Sequence, residues 1–170
     1  MKWKGNVKIT VRDLEGNIVD VQTPHNLIPT VSLAKVRDFW EGLITDGEII
    51  SMGVGSDNTV PALTDVGLGH QYFRKQVTLP FSEPTAAGLT TTVYITLSEA
   101  IGQIEELGWF SNFAIDDFWL AENDDFIMQE INDHIIFDGD GVLFSRVLYS
   151  HPKTTLHSIQ VERTDTIAEA

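Results

Sequence analysis

Cysteine is absent from this 170-residue chain, so the chain can hold neither a disulfide framework nor a thiolate metal site. Long apolar runs are also missing, and no segment approaches the length that a membrane-spanning helix needs. Lysines occur in residues 1–6, but no apolar stretch follows them as it would in a signal peptide. We therefore expect a soluble, unprocessed chain that forms a single domain over residues 1–170, because this length can bury roughly two-thirds of its unfolded surface.

Basic residues are missing from one long stretch of the sequence. No Lys or Arg occurs between Gln76 and Ser145. The carboxylates of that interval are Glu83, Glu99, Glu105, Glu106, Asp116, Asp117, Glu122, Asp124, Asp125, Glu130, Asp133, Asp138 and Asp140. With a net charge of -14 the chain should repel nucleic acid and anionic membranes, so we expect neither nucleic-acid binding nor membrane insertion. A solvated face is the ordinary interpretation of such a run; a docking surface for a basic partner and a calcium site are the alternatives.

The sequence contains a glycine motif that resembles a nucleotide-binding loop but lacks the third glycine of such a loop. Gly53 and Gly55 resemble the start of a dinucleotide-binding loop, which needs a third glycine and a following helix. Asn58 stands where that glycine should be, and Pro61 favours an extended or turn conformation just before it. The pattern therefore predicts a strand that runs into the long loop Ser56–His70, with the two glycines giving backbone freedom at the strand end.

Alternating apolar residues predict a mainly β chain. Val7, Ile9 and Val11 share one side of a segment whose other side is polar, and turn residues 13–17 precede a second alternating segment at 18–21, which indicates a β-hairpin. Further strands are predicted at 73–81, 91–97, 107–115, 142–149 and 156–163, with 83–88 as a loop. Repeated short strands separated by turns predict a β-sandwich-like single domain.

One segment has helical rather than strand periodicity. Its apolar stripe consists of Leu33, Val36, Trp40, Leu43 and Ile44. Thr30 or Ser32 can cap its start, and Asp46-Gly47 can end it. We expect one amphipathic α-helix packed on the sheets, with Phe39 and Trp40 as core anchors.

The segment 116–140 has no clean period, so a short helix at 124–132 and a further strand pair both remain open. We interpret it as an acidic insertion between two strands, and the tail 164–170 as flexible. Asp138 and Asp140 lie in an Asp-Gly-Asp-Gly sequence that begins like a calcium loop but lacks the third ligand and the distal glutamate. A hairpin turn is the simpler interpretation. If a divalent ion binds, Asp138 and Asp140 are its candidate ligands, with Asp124 or Asp125 beside them.

Signatures of catalysis are missing as well. Gly-x-Ser-x-Gly does not occur, and the five histidines form no pair at metal-ligand spacing. The adjacent pairs Glu105/Glu106 and Asp116/Asp117 do not make an acid–base couple, because neighbouring residues of a strand point to opposite faces. We expect no enzyme activity and no cofactor other than the calcium already considered.

The order of several short motifs resembles a recurrent module of virion structural proteins in tailed bacteriophages, associated with tail fibres, collars and baseplates. The motifs are Asn26-Leu-Ile, the helix, Met52-Gly-Val-Gly-Ser56, Pro61-Ala-Leu-Thr-Asp65, Leu68-Gly, Tyr72-Phe-Arg-Lys75, Glu105-Glu-Leu-Gly-Trp-Phe110 and Leu143-Phe-Ser-Arg-Val147. They cover most of the chain from Asn26 to Val161, and the acidic insertion is a departure from the simpler members.

The resemblance implies a structural component of a phage particle with no catalytic residues, located in the virion after assembly in the host cytoplasm. Its expected partners are other virion proteins and copies of itself, with possible contact to a host surface. Loops at the ends of a sandwich are its natural contact surfaces, so the interface candidates are Asp57, Asn58, Pro61, Tyr72 and Trp119. The alternative is a glycan-binding or calcium-dependent adhesion module of the cell-surface type.

Overall fold

A computed structural model describes residues 2–43, 48–78, 83–85, 88–111, 130–131, 134–135 and 141–168. Its elements are β1 Lys2–Arg12, β2 Ile18–Gln22, β3 Asn26–Leu27, α1 Thr30–Trp40, β4 Ile49–Gly55, β5 Gln71–Gln76, β6 Glu83–Thr85, β7 Gly88–Ile95, β8 Gly102–Ser111, β9 Glu130–Ile131, β10 His134–Ile135, β11 Val142–Lys153 and β12 Ser158–Ala168. Sheet 1 has the strand order β2-β1-β12-β7-β6, and sheet 2 has the order β3-β11-β8-β4-β5. The strands β9 and β10 form a separate two-stranded pair.

The two five-stranded sheets enclose one hydrophobic core, which confirms the predicted β-sandwich-like architecture. Sheet 1 contributes Val7, Ile9 and Val11 to this core at alternate positions of β1. Sheet 2 contributes Leu107 and Trp109 from β8. All strand pairs among the described residues are antiparallel. The period-2 pattern therefore identified the buried side of β1 correctly.

The N-terminal hairpin is confirmed together with its turn. Ile9 of β1 lies opposite Gln22 of β2. Asp13 organises the turn, because its Oδ1 accepts hydrogen bonds from the backbone N–H groups of Glu15 and Asn17 at 3.0 and 2.8 Å. Gly16 has a φ of 85°, a backbone conformation that favours glycine.

Two segments differ from expectation by being strands. Residues 83–85, predicted as part of a loop, form β6 and pair with β7. Residues 164–168, predicted as part of a flexible tail, form the end of β12 and pair with residues 2–6 of β1. The pairing has a simple cause, because β1 extends to Lys2 and offers backbone partners along its whole length. Trp119, the ends of the strands predicted at 73–81 and 107–115, and the segment 136–140 with its candidate ligands Asp138 and Asp140 lie outside the described residues.

The helix is present, but its predicted apolar stripe is buried only in part. It spans Thr30–Trp40, and the exposed fractions of Leu33 and Trp40 are 48% and 65%. Val36 of the predicted stripe does pack against the core, together with Val31, and the fully buried Ser32 lies between them in sequence. Ser32 Oγ donates a hydrogen bond to the carbonyl of Leu143 on β11 at 2.7 Å, and this small side chain sets which side of α1 faces the sheet. Among the described residues, no helix has the length and apolar character that crossing a bilayer requires.

Candidate functional site

The connection between β4 and β5, residues 56–70, lies over the outer face of sheet 2. Its two ends are joined, because the Ser56 N–H donates to the His70 carbonyl at 3.0 Å. Connections of about 15 residues without secondary structure are uncommon in compact domains and are often functional. The prediction of a long loop that re-enters the sheet next to Tyr72 is confirmed, since β5 begins at Gln71. This loop and the residues that hold it are the candidate functional site.

Glycines make room for the loop on the sheet. Leu68 of the loop lies over Gly53 and Gly108, which are opposite each other on β4 and β8. A Cβ atom at Gly53 would stand 3.0 Å from Leu68 Cδ1, and one at Gly108 would stand 2.7 Å from Leu68 Cδ2. A Cβ at Gly55 would collide with the carboxylate of Glu106. The glycine pair therefore provides space rather than the backbone freedom that the sequence suggested, and neither glycine has a positive φ.

A buried arginine on β11 connects the sheet to the loop. The Arg146 side chain is 4% exposed. Its Nε donates to Glu106 Oε2 at 2.8 Å, and its Nη1 donates to Asp65 Oδ2 at 2.8 Å. Its Nη2 donates to the carbonyl of Thr59 at 3.1 Å and lies 3.6 Å from Asp57 Oδ2. Arg146 thus reaches three positions of the loop from a single strand position.

Glu106 of β8 is also fully buried, and it too holds the loop. Its carboxylate accepts from the backbone N–H groups of Gly69 at 3.3 Å and His70 at 3.0 Å. Asp65 contributes one more such contact by accepting from the Ala62 N–H at 2.9 Å. These carboxylates satisfy backbone donors that a loop lying on a sheet would otherwise leave unpaired. We call Arg146, Glu106, Asp65 and Asp57 the loop frame.

The surroundings of Arg146 and Asp57 favour their charged forms. Burial works against the charge of Arg146, but the hydrogen bonds and charges of Asp65 and Glu106 outweigh it and raise the pKa of the guanidinium. Hydrogen bonds from Thr59 lower the pKa of Asp57, and the charge of Arg146 adds to that effect. At neutral pH, therefore, Arg146 is protonated and Asp57 is ionised.

The frame explains the interface candidates only in part. Asp57 is an internal ligand of the loop, since its Oδ1 accepts from the N–H and hydroxyl of Thr59 at 2.9 and 2.7 Å. Asn58 is exposed, as a contact residue should be, while Pro61 is half-buried. Tyr72 packs against the core, and its hydroxyl donates to the Ala100 carbonyl at 3.5 Å. Of the four candidates that the structure describes, only Asn58 is exposed.

The sequence reasoning missed the exposed apolar residues of the loop. Val60 and Val66 are each 76% exposed, and Leu63 is 56% exposed. Leu63 is also fixed in place by its backbone, because its carbonyl accepts from the N–H of Thr30 at the start of α1 at 2.8 Å. We call Val60, Leu63 and Val66 the loop face. An apolar residue inside a loop rich in turn formers was the available signal, but a sequence does not show which side of a loop faces the protein.

Ser56 and His70 meet at the root of the loop. Ser56 Oγ and His70 Nδ1 are 2.5 Å apart, which is the arrangement of a serine nucleophile and its base. The same two residues also exchange a backbone hydrogen bond, so the contact closes the loop at its root. No carboxylate among the described residues hydrogen-bonds the other ring nitrogen of His70 as an orienting group would. The described part of the chain also contains no group of three or more His, Asp or Glu side chains placed to hold a metal ion.

Comparison with known proteins adds no family: no family model matches the chain, and neither a curated protein nor a solved structure matches it.

Proposed function

We propose that the chain is a structural module of a tailed-phage particle and that the loop face binds neighbouring virion proteins. The observation that carries this proposal is a long loop that is fixed by buried charges and displays apolar side chains to solvent. Exposed apolar groups on a fixed backbone are typical of contact surfaces, because little conformational entropy is lost when they are covered.

The resemblance to phage structural proteins supports the same proposal. The residues that carry it include Gly53, Gly55, Asp65 and Leu68. Asp65 belongs to the loop frame, the two glycines lie in β4, and Leu68 is the loop residue that packs over Gly53. The shared motifs thus correspond to the device that presents the loop. In such a module, loop sequence selects the partner while the frame keeps its position.

Site-specific photo-crosslinking in intact particles tests this proposal. A photoreactive amino acid at Leu63 or Val66 should link the chain to a second virion protein. Leu156 is the matched control, because it is 56% exposed, as Leu63 is, and lies in the turn between β11 and β12. Crosslinks of equal yield from Leu156, or none from either loop position, would contradict binding through the loop face.

The alternative, a calcium-dependent or glycan-binding adhesion module, predicts a different result. Its candidate ligands are Asp138 and Asp140, and a bound ion would raise the melting temperature of the isolated chain by linkage. An unchanged midpoint at millimolar calcium counts against the ion-dependent version. A rise in the midpoint that is lost in Asp138→Asn/Asp140→Asn would favour it over the assembly module.

A further inference from the structure

The outer face of sheet 1 carries basic side chains on a chain that is otherwise strongly acidic. Lys4 and Lys8 are exposed, whereas Val7 and Ile9 of the same strand are buried. Lys4 and Lys8 therefore point away from the core, and Arg12, which has the same parity in β1, belongs to the same side. Basic residues thus recur along one side of this strand.

The two lysines line an open cleft of about 1040 Å³. Its other polar residues include Thr90 and Thr164 on the neighbouring strands of sheet 1 and His25 on the connection that follows β2. This volume is at the upper end of the range for small-ligand pockets. Because the cleft is open to solvent, an extended polypeptide segment can lie along it.

The lysines of this cleft have few ion-pair partners among the described residues. Lys4 forms no ion pair with any residue that the structure describes. Lys8 lies 3.5 Å from Glu162, but both side chains are solvent-accessible, so the pair is weak. The cleft therefore has net positive charge on a chain whose net charge is -14. A surface rich in carboxylates is its electrostatic complement.

We propose that this cleft binds the acidic stretch between Gln76 and Ser145 of a second copy of the chain. That stretch contains no Lys or Arg, and the carboxylates of residues 116–140 are its densest part. The contact joins two different surfaces, so each copy keeps a free cleft or a free acidic stretch and the contact can repeat. This inference goes beyond the loop face, since it concerns the opposite sheet and a different partner.

Sedimentation velocity of the full chain at about 0.02 M and about 0.3 M salt tests the proposal, because screening shortens the Debye length across this range. Two copies with a net charge of -14 should repel each other. Association at low salt that is lost at high salt therefore requires a local contact between opposite charges. A chain that stays monomeric at low salt would overturn the proposal.

A pair of variants with equal charge locates the contact. Lys4→Gln/Lys8→Gln should weaken association about tenfold, as expected for the loss of two exposed charge contacts. Lys35→Gln/Arg37→Gln removes the same charge from α1 and should leave association as in the unmodified chain. Equal weakening in both variants would mean that net charge alone matters, and would overturn the proposal. Melting temperatures of both variants establish that the fold is retained.

A mixing experiment tests that the contact joins different surfaces on the two copies. Asp124→Asn/Asp125→Asn/Glu130→Gln should also weaken association when this variant is alone. Mixed with Lys4→Gln/Lys8→Gln, it should form heterodimers at low salt, because one chain retains the cleft and the other retains the acidic stretch. Failure of the mixture to associate while the unmodified chain does so would overturn the head-to-tail arrangement.

Discussion

The outer faces of the two sheets differ in how they meet solvent. Sheet 2 is covered by loop 56–70 and α1, and every residue of β8 from Leu107 to Ser111 is buried. Sheet 1 is open, and its strand β1 alternates exposed Lys4 and Lys8 with buried Val7. Continuous burial along a strand is usual where helices cover both faces of a parallel sheet. Here a loop provides much of the cover for an antiparallel sheet.

A loop that lies against a sheet needs hydrogen-bond partners for its backbone groups. A helix satisfies its own backbone groups, whereas an irregular segment brings unpaired N–H and C=O groups onto the sheet. In this chain Glu106 and Arg146 are the partners of those groups, at the expense of two buried charges within apolar strands. Sheet 1 needs no such device, and its outer face carries ordinary polar residues.

The largest expected effect comes from removing the central cation of the frame. Arg146→Met should lower the free energy of unfolding by about 3–5 kcal/mol, because Glu106 is left buried without its charge partner. Chemical denaturation at pH 7 measures the change. Lys8→Met on the open sheet is the control, and it should cost less than about 1 kcal/mol. Similar losses of unfolding free energy at Arg146 and Lys8 would contradict the proposed difference between the covered face of sheet 2 and the open face of sheet 1.

A double variant distinguishes the effect of the unpaired Glu106 charge from the effect of the altered side-chain shape. If an uncompensated buried carboxylate is the cause, Arg146→Met/Glu106→Leu should be more stable than Arg146→Met alone. Hydrogen exchange of the N–H groups of Gly69 and His70 should be faster in both variants, because both lose the carboxylate contact or its anchor.

Glycines under and beside the loop give the next largest effect. Gly55→Ala should cost about 1–3 kcal/mol, because its Cβ would collide with the buried carboxylate of Glu106. Gly67→Ala should change stability by no more than about 0.5 kcal/mol, since no heavy atom lies within 4 Å of its Cβ position. Thermal unfolding of the two variants measures the difference. Equal losses of stability in Gly55→Ala and Gly67→Ala would contradict the close packing of the Glu106 carboxylate on β4.

The interior between the sheets should respond to acid through His151. Burial, and then the charge of neighbouring His157, lower the pKa of His151, while Asp20 opposes this and Lys153 adds to it. The unfolded state therefore binds the proton more readily, and stability should fall as the pH drops below about 6.5. His151→Phe keeps a ring beside Tyr149 and should flatten this slope in a denaturation series. An unchanged slope would assign the acid sensitivity to other groups.

The smallest effect on stability is expected at the loop face. Leu63→Ser and Val66→Ser should change the free energy of unfolding by no more than about 0.5 kcal/mol, since both side chains are largely exposed. The same substitutions should reduce binding to the proposed partner. A large loss of stability would instead mean that these residues pack within the chain and are unavailable for a partner.

Local patterns predicted the N-terminal hairpin of sheet 1 well because its cause is local. The alternation of Val7, Ile9 and Val11 records one buried side, and the hairpin turn at 13–17 has its own side-chain chemistry. The helix was harder, since its buried side depends on Ser32 reaching Leu143 across most of the chain. Periodicity gives an apolar stripe but not the neighbour that covers it.

The frame could not be predicted because it joins distant parts of the sequence. Arg146, Glu106 and Asp65 meet across separations of 40 and 81 residues. Each looks unremarkable in its own segment, although a charge inside an apolar strand is a usable signal. The role of Gly53 and Gly55 could not be predicted for the same reason. The side chains that occupy the space above these glycines include those of Leu68 and Glu106, and neither residue is a sequence neighbour of the pair.

The centre of sheet 1 also sets the order in which the chain can fold. β1 pairs with β12 along its entire length, and residues 2–8, which do not pair with β2, find their strand partner in residues 162–168. Pairing at such a separation in sequence is entropically expensive and slow, and strands that wait for it expose unpaired edges. During synthesis the hairpin of β1 and β2 can form early, but sheet 1 cannot close until β12 has left the ribosome. Aggregation should therefore compete with folding most strongly in chains that stop before β12.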